Sequence, residues 1–247
     1  MMLRQRLKAL GARLGVDLSR RRVVDGRHYG PIIPMGTYSP WLDDAAFAST
    51  YATVEGNTLV DRYRAFELWE LVGQTRDVPG AILEVGVWRG GTGALLASRV
   101  KQLGIEKVTY LCDTFTGVAK AGAMDSAYRG GEHDDTSVPI VEALLGRLDV
   151  GKVEILKGIF PEDTGGRVEG ETFAFVHVDV DVYQSAKDVV EFAWPRMPVG
   201  GIVVFDDYGF WSCAGIPKLV AEYRGRPDRV VIHNLNGHAV LIKTRAS

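Results

Sequence analysis

"AILEVGVWRGGTGALLASRV", residues 81–100, decides the fold. Five strand-forming residues run into a turn spaced by Gly86, Gly90, Gly91 and Gly93, and a small-residue helical run at 91–103 follows. A strand that turns through glycines into a helix is the opening unit of a parallel α/β sheet. The pattern then repeats. "KVTYLCD" (107–113), "KVEILKG" (152–158), "TFAFVHVDV" (172–180) and "GGIVVFDD" (200–207) read as strands. Helical segments at 137–148, 184–197 and 215–224 alternate with them, and a short one follows residue 158. "RVVIHN" and "HAVLIKT" end the chain, joined by a tight turn at Asn236-Gly237, a hairpin signal. The expectation is a doubly wound, mostly parallel seven-stranded sheet with a C-terminal antiparallel hairpin.

Upstream of that sheet, two helices are expected. "DDAAFASTY" has Asp43 or Asp44 as its cap. "NTLVDRYRAFELWELVGQT" (57–75) starts at Asn57 or Thr58, with Leu59, Tyr63, Phe66, Trp69 or Glu70, and Gly73 as its apolar face. "RHYGPIIPMGTYSPW" (27–41), with three prolines, reads as an extended arm. Residues 1–22 carry seven Lys/Arg against Asp17, so this end is +6 and the rest of a chain of net charge −2 is −8. Leu3, Leu7, Leu10 and Leu14 make it a basic amphipathic helix, suited to an anionic membrane surface or a partner subunit. Domains are expected at 1–78 (helix, arm and helical cap) and 79–247. The acidic body argues against nucleic acid as a partner. No apolar run reaches membrane-span length. Two cysteines, Cys112 and Cys213, make no framework and fit a reducing cytoplasm. A homo-oligomer closed by the N-terminal arm is expected.

The glycine turn also selects a ligand class. Ligands of such sheets bind at the carboxyl ends of the strands. The dinucleotide fingerprint fails because Trp88 stands at its second glycine, and Glu84 would repel a pyrophosphate but attract an ammonium. An acid followed by glycines in this turn suits S-adenosylmethionine, with an amino-acid head and no phosphate. Gly90, Gly91 and Gly93 would let backbone approach it. Asp113, at the end of the next strand, can take the ribose hydroxyls. "GRLDVGK" (146–152) imitates a phosphate loop but leads into a strand, which excludes it.

The second signal is acidic. In "FVHVDVDVY" (175–183) Asp179 and Asp181 alternate with valines, so both would point to one face roughly 6–7 Å apart. Asp206-Asp207 follow the strand "GGIVVF". Clustered carboxylates need a cation, a shared proton or open water.

"LEVGVWRGG", "LCDTFTGV", "YRGGEHDDTS", "LKGIFPEDTG", "HVDVDVYQSAKD" and "GGIVVFDDYG", in this order, resemble the macrocin O-methyltransferase family of S-adenosylmethionine-dependent enzymes, from about Asn57 to the final hairpin. The resemblance implies a class I methyltransferase fold and transfer to a hydroxyl of a sugar, glycolipid or glycosylated natural product. It implies Asp179, Asp206 and Asp207 as ligands of Mg²⁺ and Asp181 as general base. Neighbouring strand tips and oxygen-only donors agree with a hard ion, although the shared face leaves open which of Asp179 and Asp181 is ligand. The matching motifs put Glu84, Gly86, Trp88, Gly90, Asp113, Thr114, Phe115, Gly158, Ile159 and Phe160 at the cofactor. His177 reads as a strand residue with a satisfied hydrogen bond, and His133 and His238 as candidates for the cleft rim. The polar loop 114–136 reads as a lid. The alternative function is a protein that binds the cofactor or the metal without transfer, as a partner or scaffold. A nicotinamide enzyme fails at Trp88.

Overall fold

The computed structural model describes residues 21–32 and 36–246 and divides into two compact units at Thr37/Tyr38. The basic helix expected within residues 1–22 therefore falls almost wholly outside the described residues. In the smaller unit β1 (Arg22–Val24) and β2 (Arg27–Tyr29) pair antiparallel about Asp25-Gly26, both with positive φ. Part of the expected arm is thus a hairpin.

In the larger unit, α1 (Ala45–Val54) is capped by Asp44, whose carboxylate accepts the Phe47 N–H at 2.8 Å. The helix α2 (Arg62–Gln74) is shorter than the sequence suggests. Its cap is Asp61, which accepts from the N–H groups of Tyr63 and Arg64, so Asn57–Val60 remains a loop. Its buried face is Arg64, Ala65, Leu68, Trp69 and Val72, whereas Leu59 and Tyr63 are 65% and 56% exposed. The apolar face had been placed too far round the helix, because aromatic bulk outweighed the i, i+3, i+4 series of Ala65, Leu68, Trp69 and Val72.

The sheet contains β3 (Ala81–Val85), β4 (Thr109–Asp113), β5 (Val153–Lys157), β6 (Phe173–Val178), β7 (Ile202–Phe205), β8 (Arg229–His233) and β9 (Ala239–Lys243). Their order is β5-β4-β3-β6-β7-β9-β8, and β9 alone runs opposite to the rest, pairing antiparallel with β7 on one side and β8 on the other. The helices α3 (Gly91–Gln102), α4 (Val138–Leu145), α5 (Tyr183–Ala193) and α6 (Gly215–Tyr223) alternate with the strands. Strand parity separates two cores. Leu83, Val176, Val178 and Val203 face α5 and α6, while Ile82, Phe175 and Val204 face α1, α2 and α3. The doubly wound sheet with its terminal hairpin is as expected. Both α1 and α2, assigned from sequence to residues 1–78, pack into the core of the larger unit. The tips of β3, β6 and β7 lie side by side, which brings the glycine turn and both acidic pairs together.

Candidate active site

A cleft enclosing about 1230 Å³ of empty space, open to solvent, crosses these strand tips. Of the sequence-predicted residues, Gly86, Trp88, Asp113, Thr114, Gly158, Ile159, Phe160, Asp179, Asp181, Asp206 and Asp207 line it. Glu84, Gly90 and Phe115 are not among its lining residues. Glu84 shares strand parity with Ile82 and so points to the α2–α3 side. There it is fully buried, with Oε1 accepting from His177 Nδ1 at 2.9 Å and Oε2 without a hydrogen-bond partner among the described residues. The glycines are required mainly by protein neighbours rather than by a ligand. A Cβ at Gly90 would meet Val141, at Gly91 the Asn57 carbonyl, and at Gly93 the Glu84 carboxylate. Gly86, at φ +92, lies so close to Asp179 that any side chain would overlap its carbonyl oxygen.

Asp113 has a structural duty beside its expected one. Its Oδ2 accepts from the Val87 and Trp88 N–H groups at 2.7 and 2.9 Å, and its Oδ1 from Phe115 N–H at 2.6 Å. The carboxylate thus ties the glycine turn to the tip of β4 while still lining the cleft. Asp113→Ala should weaken S-adenosylmethionine binding by roughly ten- to a hundred-fold and lower folding stability by about 1–3 kcal/mol. Calorimetry and denaturant titration of the same variant measure both, and unchanged affinity would remove Asp113 from the cofactor site.

The acidic residues do not share one strand face. β6 ends at Val178, Asp179 N–H still reaches Val85 O at 3.0 Å, and the chain then turns at Asp181, whose φ is +65. Asp181 N–H donates to Asp207 Oδ2 at 2.8 Å, and its Oδ1 accepts from Cys213 Sγ at 3.4 Å. His133 Nε2 stands 4.0 Å from Asp181 Oδ2 and 3.4 Å from the Tyr128 hydroxyl, so the loop 114–136 folds over the cleft beside it. Asp206 and Asp207 lie in a single 3-10 turn after β7. Donor oxygens of Asp179, Asp206 and Asp207 fall within 4.8 Å of one another.

The four carboxylates have different surroundings. Burial and the negative charges of Asp206 and Asp207 push Asp179 well above the usual range; burial, Asp181 and Asp206 do the same to Asp207. Burial also raises Asp181, against the pull of Tyr128 and His133. Burial acts on Asp206 too, but His177, His238 and Arg64 outweigh it and hold that carboxyl far below the usual range. Arg64 Nη1 pairs with Asp206 Oδ2, and His238 Nε2 donates to Oδ1 at 2.8 Å. His177 Nε2 stands 3.6 Å from Oδ1. Burial pulls His177 and His238 down; carboxylate contacts reverse this, taking His177 to about 10 and His238 above its ordinary value. Both histidines are buried, so His238 is not at the rim. Among the described residues Asp179 and Asp207 make no ion pair of the kind that Asp206 makes with Arg64, so their charged forms would be favoured by a bound cation, and the donors are hard oxygens. The set fits a divalent ion such as Mg²⁺. Sequence reading missed Arg64, Tyr128 and Cys213, all cleft-lining. The Asp61/Arg64 spacing on α2 was the one available hint.

The family profile described as Macrocin-O-methyltransferase (TylF) matches residues 50–236. The chain is 32% identical over 160 residues to an 8-demethyl-8-(2,3-dimethoxy-alpha-L-rhamnosyl)-tetracenomycin-C 4'-O-methyltransferase of Streptomyces olivaceus, covering 60% of this chain and 59% of that protein. It is 28% identical over 235 residues to a mycinamicin III 3''-O-methyltransferase of Micromonospora griseorubida, covering 87% and 90%. Among solved structures, the O-methyltransferase NovP superposes with a TM-score of 0.66 at 24% identity, covering 76% of this chain and 83% of that one. That likeness establishes a shared fold.

Proposed function

The chain belongs to the macrocin O-methyltransferase family, and from that premise we propose that it transfers the methyl group of S-adenosylmethionine to a hydroxyl of a glycosylated natural product with the help of a divalent cation. The observation that carries this reading is a single cleft lined both by Gly86, Asp113 and Phe160 and by the four aspartates. Donor and acceptor can therefore meet without leaving the protein. The names of the tetracenomycin and mycinamicin relatives support a glycoside acceptor.

Asp113 binds the ribose end of the donor, and Val118, Ile159 and Phe160 offer apolar surface for its purine. Asp179, Asp206 and Asp207 would hold the cation, which when bound supplies positive charge to orient the acceptor and lower its hydroxyl pKa. Asp181 takes the hydroxyl proton as the acceptor oxygen attacks the methyl carbon. The sulfur–methyl bond breaks, its electron pair returns to sulfur, and S-adenosylhomocysteine leaves. The test is incubation with S-adenosylmethionine, Mg²⁺ and a panel of glycosylated polyketides and aminocoumarins, read by mass spectrometry. A product heavier by one methylene is expected. Transfer to catechols alone would overturn the acceptor class. Cofactor binding with no transfer to any acceptor would favour a non-catalytic binding protein.

A further inference from the structure

Asp206 is held from behind by side chains that the transfer chemistry does not touch. His238 is fully buried, and both of its ring nitrogens face carboxylate oxygens. Nε2 lies 2.8 Å from Asp206 Oδ1, and Nδ1 lies 2.6 Å from Glu67 Oε2. Glu67, on α2, also accepts from the side-chain amides of Asn234 and Asn236 in the β8–β9 turn, the latter at 2.6 Å. One line of polar contacts thus joins α2, the terminal hairpin and the tip of β7.

Two features separate this line from a simple tie between helix and hairpin. The two asparagines already make that tie, so an imidazole buried between two carboxylates is superfluous for it, and burying such groups is costly. The line also continues to a carboxylate whose neighbours on the cleft floor are Asp179 and Asp207. A carboxylate has about four lone-pair sites. Arg64 takes one on Oδ2 and His238 one on Oδ1, with His177 Nε2 at 3.6 Å from that same Oδ1; this fixes the plane of the group and still leaves a lone pair on Oδ2 for an ion.

We propose that His238 and Glu67 are positioning residues for the divalent cation: Glu67 orients His238, and His238 aims the Asp206 carboxylate at the ion. The inference rests on the metal reading above. Outer partners that orient a ligating group are general in metal sites, and their loss costs about 10–100-fold in metal affinity.

The probe is Mn²⁺, with the free ion followed by electron paramagnetic resonance and S-adenosylhomocysteine binding measured in parallel. His238→Phe should weaken Mn²⁺ binding by about 10–100-fold and leave S-adenosylhomocysteine affinity unchanged. Glu67→Gln, which keeps an acceptor for His238 Nδ1–H, should lose less than Glu67→Leu. Should His238→Phe fail to fold, the Gln-against-Leu comparison decides, and equal Mn²⁺ affinity in those two overturns the inference. So does unchanged Mn²⁺ affinity in His238→Phe, or a parallel loss of both ligands, which marks a merely structural role. A wild-type protein that binds no Mn²⁺ overturns the metal reading and this inference together, whereas Mn²⁺ binding untouched by the variants overturns this inference alone.

Discussion

Asp181→Asn is expected to cut turnover by about 10²–10⁴ while cofactor and cation still bind, the contribution usual for a positioned base. The substitution isolates charge unusually well. Asp181 sits at φ +65, a left-handed conformation that asparagine tolerates better than most residues, so the turn between β6 and α5 should persist. Its main-chain N–H keeps the 2.8 Å bond to Asp207, and the amide oxygen can still accept from Cys213. What disappears is the ability to take a proton. The check is steady-state kinetics with calorimetric S-adenosylhomocysteine and Mn²⁺ binding on the same preparation. A fully active Asp181→Asn would move the base elsewhere.

Chelation should abolish methyl transfer and leave S-adenosylhomocysteine bound, because Asp113 and the glycine turn do not depend on the carboxylate floor. The individual aspartates should then divide in a way that the sequence does not suggest. Asp179→Asn, Asp206→Asn and Asp207→Asn should each weaken Mn²⁺ binding by more than the roughly 10–100-fold of an outer partner. Without metal, their effects on folding should have opposite signs. Asp179→Asn and Asp207→Asn remove one of two repelling neighbours, so the unfolding midpoint should hold or rise. Asp206→Asn takes from Arg64 and His238 the carboxylate they share, leaving them only Asp61 and Glu67, so the unfolding midpoint should fall. Denaturant unfolding in EDTA measures all three. Full activity in EDTA would remove the cation from the reaction, and equal destabilisation by all three variants would mean that Asp206 is not the anchored one.

The sheet was legible in the sequence because each strand from β3 to β7 is a short run closed by glycine or acid, and those acids mark the strand tips that the fold makes neighbours. The two acidic pairs, Asp179 with Asp181 and Asp206 with Asp207, could be brought to one end of the sheet on that basis, while the set of Asp179, Asp206 and Asp207 came from the family resemblance. The surroundings of Glu84 follow from strand alternation: it shares parity with Ile82, and His177, opposite it in register, shares parity with Phe175. The faces of Asp179 and Asp181 could not be read, because a left-handed residue after Val178 ends the alternation. The roles of Arg64 and Glu67 were hard to read for another reason. The contact between Arg64 and Asp206 spans 142 positions, and nothing local in "DRYRAFELWE" distinguishes a buried arginine from a solvated one.

Trp88 belongs to the glycine turn, yet it is also fastened to the loop 114–136. Its indole N–H donates to Asp135 at 2.7 Å, the Thr136 hydroxyl donates to its carbonyl, and its ring meets His133 edge-on. For anyone seeking to retarget the enzyme, this sets the unit of exchange. A loop spanning 114–136 transplanted from a relative arrives without its fastening unless residue 88 travels with it. Libraries built on the loop alone would then be sampling donor binding as well as acceptor choice, and selection should score the two separately.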